Sequence, residues 1–556
     1  MVVNENTMQE KISIKKNIIK FDSETMNHDI ESILIQRFED PAELEMTIDD
    51  LHDPFALKDM WKAVERLLQA KENDEKVMIF GDYDVDGVTS TSILMHFFKK
   101  IWLKASYRLP HRVNDGYGLK DYFVDECAEL WVTLIVTVDC WTRDIEVIQH
   151  AKKLWIDVIV TDHHAVPEVI PEEAVAIINP KRPDCEYPFK GLAGAWVAFK
   201  VMCAVASEIF DFEEYEEYVR DSIDICAIGT VADCMTLTWE NRLIVVEWLK
   251  QLRNSRSRWI RSLIEDKINT DLDADVFGFV IGPRLNAAWR MDTPYKAVNL
   301  ILNNGETLAK TLHEIEMLND QRKFQTKQFV EEALQKVNPK DNLLFYYSPA
   351  IEHGIIGIVA GRLTEQFYRP SIVLKDEWDK LVASCRAPEY FSIIDILEKY
   401  KDYFIAFGGH KQAAGFSIAR EKFGEFKTKV LAELNAIDFR QHKKELQVDK
   451  VVNLNELGFG FLYKMNKFKP YGIGNKKPLL MVEDLDFESV SILWKNSRDH
   501  IQFKTAHGYK IYGFGFGQYL EDIKKANKID IIFDISEDNW MWKKNILLKV
   551  EDIVLY

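Results

Sequence analysis

Residues 77 to 162 constrain the fold most, because short apolar segments alternate there with helical ones. The apolar segments are "KVMIFGDYD", "KASYRLP", "LIVTVD" and "IDVIVTDHH", and the helical segments are "VTSTSILMHFFKKI" and "IEVIQHAKKL". Such an alternation is typical of a parallel β-sheet covered by helices. We therefore predict an α/β fold with a parallel sheet in this part of the chain.

Ionisable side chains stand where several of the predicted strands end. Ligands of parallel sheets bind beyond the carboxyl ends of the strands, so we expect these side chains to meet at one edge. The aspartates of "GDYDVDG", taken alone, are better explained as a solvated turn. A further aspartate in "AIGTVADCM" adds to the set. In chain order the candidates are Asp82, Asp84, Asp86, Asp139, Asp162, His163, His164 and Asp233.

The chemistry of this set points to divalent cations. Carboxylates gathered at one edge repel one another unless cations bind them. Carboxylates with an imidazole suit Mn²⁺ or Mg²⁺ better than a zinc site built from thiolates. Two such ions can activate water and stabilise an in-line displacement at phosphorus. The sequence therefore predicts a two-metal phosphoesterase centre.

After about residue 250 the alternation of strand and helix patterns ends and other patterns follow. Residues 306–337 read as one long polar helix with Leu308, Leu312 and Ile315 on a single stripe, about 48 Å long if it is continuous. Residues 341–440 return to an α/β pattern. The last hundred or so residues carry short strands and turns, which predict a small β-barrel.

Composition limits the class of protein. The 556 residues are 47% hydrophobic and predict about three or four domains. The formal net charge of -18 argues against a chain that coats nucleic acid over its whole surface, but it permits a local basic groove. The seven cysteines form no CxxC pair, which suits a reducing compartment. With no apolar run long enough for a signal or a membrane span, we expect a cytoplasmic protein.

Several motifs resemble those of a known family. "DYDVDG", "VDC", "TDHH" and "VADCMTL" are similar to the four successive motifs of the DHH phosphoesterase family. "HRVNDGYGL", "IGPRLNAAWRM", "FGGHKQAAGF" and "KPYGIGNKKP" resemble those of its RecJ-type single-strand-specific DNA exonucleases. The resemblance covers nearly the whole chain, in the right order.

The resemblance implies a domain plan. It comprises an α/β parallel-sheet DHH catalytic domain, a long connecting helix, an α/β DHH-associated domain across a cleft, and a C-terminal β-barrel of the OB-fold type. We expect the following boundaries: an N-terminal extension at 1–50, the catalytic domain at 51–250, a helical connector at 251–338, the associated substrate-binding domain at 339–440, and the OB-fold at 441–556.

The resemblance also assigns roles to residues. The metal ligands would be Asp82, Asp84, Asp86, Asp139, His163 and Asp233, holding two Mn²⁺ or Mg²⁺ ions. Asp162 and His164 would support those ligands or handle protons. Contacts to DNA would come from Arg112, Arg284, Ser384, Arg386, His410 and Tyr471. Arginine forks and hydroxyls suit phosphate oxygens, and Tyr471 would stack on a base.

The implied activity is removal of 5′-mononucleotides from single-stranded DNA, in the 5′ to 3′ direction, in repair and recombination. A phosphodiesterase acting on oligoribonucleotides or cyclic dinucleotides is one alternative, and a non-catalytic DNA-binding relative is another. Single-stranded DNA is the expected partner, with a single-strand-binding protein and a helicase as further candidates. We expect a monomer that does not bind membranes.

Eight tryptophans depart from the family's pattern. Trp102, Trp131 and Trp155 each lie between a helix and a strand, where glycine is favoured. The resemblance adds tryptophans at five positions where the family usually carries glycine, namely Trp141, Trp196, Trp239, Trp289 and Trp542. Divergence with aromatic packing would explain one or two of them. Our hypothesis is that many are UGA codons read as glycine by the source organism, whereas Trp540 matches a family tryptophan.

Overall fold

The computed structural model describes residues 8–556 apart from 113–114, 117, 266, 268–271, 304, 438, 495, 507 and 539–543. The chain divides into two compact units. The first contains the residues up to Asn286, Pro294–His313 and the residues from Leu446 onward. The second contains Ala287–Thr293 and Glu314–Glu445.

A five-stranded parallel sheet forms the centre of the first unit. Its strands lie in the order β4-β3-β5-β6-β7, and every neighbouring pair is parallel. This confirms the predicted parallel α/β fold. The strands are β3 Lys76–Gly81, β4 Lys104–Arg108, β5 Val132–Val138, β6 Asp157–Thr161 and β7 Ala176–Ile178, and the accompanying helices are α2 Met60–Glu72, α3 Val85–Lys100, α4 Asp121–Glu129, α5 Ile145–Lys153, α6 Gly194–Ser207 and α7 Phe212–Ala232.

Helices dominate the chain between this sheet and the second unit. They are α8 Trp239–Gln251, α9 Arg258–Ile264, α10 Gly282–Met291, α11 Tyr295–Leu302 and α12 Leu308–Lys336. The long helix predicted over 306–337 is thus α12, with 29 residues. Leu308 and Ile315 of the predicted stripe are buried. No helix of the described residues is long and apolar enough to cross a membrane.

The second unit is built on a five-stranded mixed sheet in the order β11-β12-β10-β9-β8. Only the β8 and β9 pair is parallel. Leu374 of β9 and Phe416 of β12 belong to the buried core that this sheet shares with its helices. The elements are β8 Leu344–Tyr347, α13 Ile356–Phe367, β9 Ser371–Glu377, β10 Lys380–Arg386, α14 Ile393–Lys399, β11 Phe404–Gly409, β12 Ala413–Ala419 and α15 Arg420–Leu434.

The C-terminal part is rich in short strands, as predicted. Seven strands form one sheet in the order β14-β15-β19-β20-β18-β17-β16. The elements are β13 Glu445–Gln447, β14 Lys450–Val451, α16 Phe459–Asn466, β15 Leu480–Val482, β16 Ser489–Trp494, β17 Ser497–Lys504, β18 Lys510–Phe514, α17 Leu520–Lys525, β19 Ile529–Asp538 and β20 Asn545–Leu555.

The N-terminal residues pack onto this C-terminal sheet domain. They form β1 Gln9–Ile12, β2 Ile18–Phe21 and α1 Ile30–Leu34. The first two strands make a three-stranded sheet with β13. Ile30 and Leu34 of α1 are buried in the same core as residues of β19 and β20. Residues far apart in sequence therefore share one hydrophobic core.

Candidate metal centre

The predicted ligands come together at the carboxyl edge of the parallel sheet. Asp82 follows β3 directly, Asp139 follows β5 directly, and His163 lies two residues beyond β6. Asp233 is the residue that ends α7. Asp84 caps the start of α3, where its side chain accepts hydrogen bonds from the backbone N–H groups of Asp86 and Gly87. These five elements thus bring their side chains together at one place.

Distances define the centre. His163 Nε2 lies 3.6 Å from Asp86 Oδ2, 3.2 Å from Asp139 Oδ1 and 3.5 Å from Asp233 Oδ2. Three groups of side chains could each hold an ion, because within each group the ligand atoms all lie within 4.8 Å of one another. The groups are Asp82 with Asp84 and Asp139, Asp86 with His163 and Asp233, and Asp139 with His163 and His164. Asp139 and His163 each belong to two of them, so either residue could contact two neighbouring ions.

Electrostatics favour a cation in this centre. Burial, together with the neighbouring carboxylates, raises the pKa of Asp86 to about 7 and that of Asp233 to about 9. Burial and the same carboxylates also raise the pKa of Asp82 and of Asp139 well above the ordinary value. Burial lowers the pKa of His163 to about 3. These carboxylates lie so close together that their negative charges repel one another, and bound protons or cations must offset that charge.

The donor set fits a divalent ion. Among the described residues, buried Asp82 Oδ1 and His163 Nε2 have no hydrogen-bond partner. Buried polar atoms are normally satisfied, so a missing partner at a cluster of ligand atoms indicates an ion. Oxygen donors with one or two imidazoles suit Mn²⁺ or Mg²⁺. The residues present therefore fit the predicted metals.

Asp162 accepts hydrogen bonds from residues of the centre and from Thr142. Its Oδ2 accepts hydrogen bonds from Thr142 N at 2.9 Å and Thr142 Oγ1 at 2.6 Å. Its Oδ1 accepts from the backbone N–H of both histidines and from His164 Nδ1 at 2.8 Å. Burial alone would raise the pKa of Asp162, but the hydrogen bonds from His164 and Thr142 hold it below its usual value. Asp162 thus orients the imidazole ring of His164 and holds the backbone of both histidines.

Two glycines of the centre were missed by the sequence reasoning. The backbone N–H of Gly194 donates to Asp86 Oδ2 at 2.7 Å, and that of Ala195 donates to Asp86 Oδ1 at 2.8 Å. A Cβ on Gly194 would lie 2.7 Å from Asp139 Cβ, and one on Gly229 would lie 2.9 Å from Asp86 Oδ1. Only glycine fits this close approach of α6 and α7 to the carboxylates. The one available signal was the small-residue run "LAGA".

The candidate DNA contacts fall into separate places. Ser384 and Arg386 lie on β10, where Arg386 Nη1 is 3.3 Å from Ser384 Oγ. Gly357 of α13 lies beside both, since a Cβ there would be 3.0 Å from Ser384 Oγ and 3.1 Å from Arg386 Nη2. His410 is exposed in the turn between β11 and β12. These residues belong to the second unit.

The other candidates belong to the first unit. The Arg112 guanidinium lies 5.3 Å from the centroid of the Tyr83 ring, and Tyr83 follows Asp82 in sequence. Arg284 Nη1 donates to Val280 O at 2.8 Å. Tyr471 is buried, and its hydroxyl donates to Met465 O at 2.7 Å. The predicted stacking role of Tyr471 is therefore wrong for this conformation, because the core covers its ring.

Metal binding should be visible as thermal stabilisation. An ion that binds only the folded chain stabilises it by about 2.7 kcal/mol at one hundred times its dissociation constant. We expect Mn²⁺ to raise the midpoint of thermal unfolding of the chelator-treated protein, and Asp86→Asn to abolish most of that rise. Asp221→Asn is the control, because Asp221 lies on the same α7 as Asp233 but is half exposed and pairs with Arg256. An equal rise in both variants would contradict the assignment.

Comparison with known proteins covers most of the chain. Residues 76–230 match the DHH family, N-terminal domain, residues 340–436 match the DHHA1 domain, and residues 448–552 match the RecJ OB domain. The single-stranded-DNA-specific exonuclease RecJ of Bacillus subtilis (strain 168) is 32% identical over 541 residues, covering 94% of this chain and 67% of that protein. The RecJ of Salmonella typhimurium (strain LT2) is 36% identical over 407 residues, covering 69% and 70%.

A solved structure is similar over the same extent. The crystal structure of RecJ in complex with Mn²⁺ from Thermus thermophilus matches with a TM-score of 0.81 at 25% identity. The match covers 94% of this chain and 75% of that chain.

Proposed function

The chain belongs to the RecJ family of single-stranded-DNA-specific exonucleases, and from this premise we propose how its residues remove nucleotides. It acts as a metal-dependent exonuclease that degrades single-stranded DNA in the 5′ to 3′ direction. The observation that carries this conclusion is the set of carboxylates and imidazoles around Asp139, in which two ligand groups share one residue. Bound ions would supply an activated hydroxide and charge stabilisation for in-line displacement at phosphorus.

Each residue of the centre then has a role. Asp139 would contact both ions, and Asp162 would hold the ring of His164 and the backbone of His163 in place through its hydrogen bonds. We assign a proton-handling role to His164, since Asp162 fixes its orientation. The proposed ligands are Asp82, Asp84, Asp86, Asp139, His163 and Asp233.

Recognition of the DNA end is assigned to the second unit. A serine hydroxyl and an arginine fork on neighbouring positions of one strand suit a terminal phosphate. Gly357 allows the backbone of α13 to approach the same place. We propose that Ser384 and Arg386 bind the 5′ phosphate. Arg112, Arg284 and His410 are proposed contacts to the DNA backbone.

Loss of the arginine fork should affect binding according to the 5′ group. We expect Arg386→Ala to weaken binding of short 5′-phosphorylated strands roughly tenfold or more, the size of one or two hydrogen bonds between charged groups. Strands with a 5′ hydroxyl should bind nearly as before, and the Mn²⁺ affinity should not change. Arg362→Ala on α13 is the control, because Arg362 is exposed and pairs with Glu365. An equal loss of affinity for 5′-phosphorylated and 5′-hydroxyl strands would refute the proposed role of Arg386 in binding the 5′ phosphate.

A nuclease assay tests the function as a whole. The purified protein with Mn²⁺ is incubated with single-stranded DNA, duplex DNA and a dinucleotide, each labelled at either end. We expect mononucleotides from the 5′ end of single strands and little product from duplex. Cleavage of the dinucleotide alone would favour the small-substrate phosphodiesterase, and binding without cleavage would favour a non-catalytic relative. We also propose action in repair and recombination in the cytoplasm, as a monomer, with a single-strand-binding protein and a helicase.

A further inference from the structure

Tryptophan is over-represented among the described non-glycine residues whose backbone φ is positive. Twelve described non-glycine residues have positive φ, and five of the twelve are tryptophan. Tryptophan makes up only 14 of the 556 residues. The φ values are 62° for Trp102, 60° for Trp131, 62° for Trp155, 49° for Trp239 and 56° for Trp378. A bulky side chain is rarely found in this region, which glycine enters without steric cost.

Two of these residues occupy the glycine position of a Schellman motif. Trp102 N donates to Lys99 O at 3.3 Å, and the next residue's N–H donates to Phe98 O at 2.9 Å. At the end of α5 the same pair of bonds runs from Trp155 N to Lys152 O and from the next N–H to Ala151 O, at 3.1 Å and 3.0 Å. This pair of backbone hydrogen bonds places the residue after the C-cap in the left-handed region, where glycine is usual.

Trp378 lies in a hairpin turn, which the sequence reasoning missed. Strands β9 and β10 pair Glu377 with Lys380, so only Trp378 and Asp379 form the turn. Positive φ is found at the first of these two residues and not at the second. A two-residue hairpin of this kind corresponds to a type II′ turn, which takes glycine at its first central position.

At four of these sites the described residues offer almost no packing that would compensate for the strain. The side chains of Trp102, Trp131, Trp155 and Trp378 are 89%, 81%, 91% and 97% exposed. An indole so exposed gains almost no packing in return for its backbone conformation. Tyr368, another left-handed aromatic residue, is instead partly buried, and its hydroxyl donates to Glu389 Oε1 at 3.0 Å. For the four tryptophans, no hydrogen bond or ring contact of the indole with another described residue accounts for the conformation.

Two buried tryptophans show a different misfit. The indole N–H groups of Trp196 and Trp248 are buried without a hydrogen-bond partner among the described residues. Buried indoles normally have such a partner. The Trp248 ring centroid also lies only 3.7 Å from that of Phe277 at an interplanar angle of 50°, closer than aromatic pairs usually approach. Both rings nevertheless fill buried space inside a helix, where glycine would leave a cavity, so the misfit alone does not identify glycine at these two positions.

We propose that the cell makes this protein with glycine at Trp102, Trp131, Trp155, Trp239 and Trp378, whereas Trp196 stays with the sequence hypothesis. Their codons would be UGA, which differs from the tryptophan codon UGG only in its third base. Trp61 is expected to be genuine, because it lies within α2 without positive φ and its ring is nearly parallel to that of Phe55, at 3.8 Å and 21°. Trp141 and Trp289 do not have positive φ and stay with the sequence hypothesis, and Trp540 and Trp542 lie outside the described residues.

Glycine at residue 141 would also bear on the metal centre, an extension that rests on the proposed function. The Trp141 ring lies 5.9 Å from that of His164, and the Arg143 guanidinium lies 3.4 Å from the Trp141 ring centroid. Removing the indole would leave space for substrate beside His164. We expect Trp141→Gly to raise nuclease turnover.

Codons and peptide masses test the proposal without any assay of activity. We expect UGA at residues 102, 131, 155, 239 and 378, and UGG at 61 and 540. UGG at 102, 131 and 155 would overturn the proposal. Mass spectrometry of the protein from its own cells then decides how UGA is read, since the peptide containing residue 378 carries either glycine, as proposed, or tryptophan, which would refute it.

Thermal unfolding gives a second, independent test. A recombinant chain with glycine at residues 102, 131, 155, 239 and 378 should melt roughly 2–4 °C higher for each position than the chain with tryptophan. Trp61→Gly is the matched control and should melt lower, because glycine is unfavourable inside a helix. An unchanged or lower midpoint in the five-glycine chain would overturn the proposal. Loss of nuclease activity with a raised midpoint would count against the proposed function alone.

Discussion

Asp139→Asn is expected to lower DNA hydrolysis by about 10²–10³-fold or more, while the protein stays folded. Asp139 belongs to two of the ligand groups and lies 3.2 Å from His163 Nε2. An amide keeps the shape of the carboxylate but not its charge, so both ion positions lose a negative ligand.

The fold should tolerate this change. Burial and the neighbouring carboxylates already raise the pKa of Asp139, so a neutral amide adds no cost to the protein without metal. Circular dichroism and the unfolding midpoint in chelator should match the parent chain, and the midpoint should no longer rise with Mn²⁺. Asp221→Asn, on an exposed position in the middle of α7, should retain both activity and the Mn²⁺ response. Near-normal turnover of Asp139→Asn with Mn²⁺ would refute the two-ion assignment.

Gly194→Ala should damage the centre almost as much, although it adds only one methyl group. The new carbon would lie 2.7 Å from Asp139 Cβ and 2.9 Å from Asp86 Oδ2, closer than such atoms normally approach. The carboxylates or the start of α6 must therefore move. We expect Mn²⁺ affinity to fall about 10–100-fold and stability to fall by about 1–3 kcal/mol.

A matched glycine separates this effect from helix propensity. Gly424 is exposed within α15, and a Cβ there would meet no described atom within 4 Å beyond its own helix backbone. Gly424→Ala should stabilise the protein by about 1 kcal/mol and leave Mn²⁺ affinity unchanged. Calorimetric titration with Mn²⁺ and thermal unfolding measure both variants. If Gly194→Ala binds Mn²⁺ as tightly as the parent, the close approach at α6 does not shape the centre.

Local pattern was sufficient for the parallel sheet and for the long helix. Each depends on a periodicity that a short stretch of chain displays by itself, and strand direction in an alternating pattern follows from chain connectivity. The gathering of Asp82, Asp139 and His163 could be predicted for the same reason, because parallel strands end at a common edge. The corners with Trp102, Trp131 and Trp155 were also visible, since a helix end followed by a strand predicts a left-handed residue.

Packing between distant segments was not predictable in this way. Tyr471 looked like a stacking residue beside two glycines, but its ring is buried in the core. The N-terminal segment read as an extension, yet Ile30 and Leu34 complete the core of the C-terminal sheet domain. Neither outcome leaves a local signal, because burial depends on which remote residues cover a side chain.

The amino-acid sequence by itself determined which ligand atoms the centre has, the order of strands and helices that carries them, and the turns that call for glycine. These are properties of short segments, decided by side-chain chemistry and backbone sterics. The tertiary structure alone decided that Asp139 is common to two ligand groups and that Gly194 and Gly229 lie against the carboxylates. Those facts are distances of a few ångströms between residues remote in sequence, and only the packing of α6 and α7 against the sheet sets them.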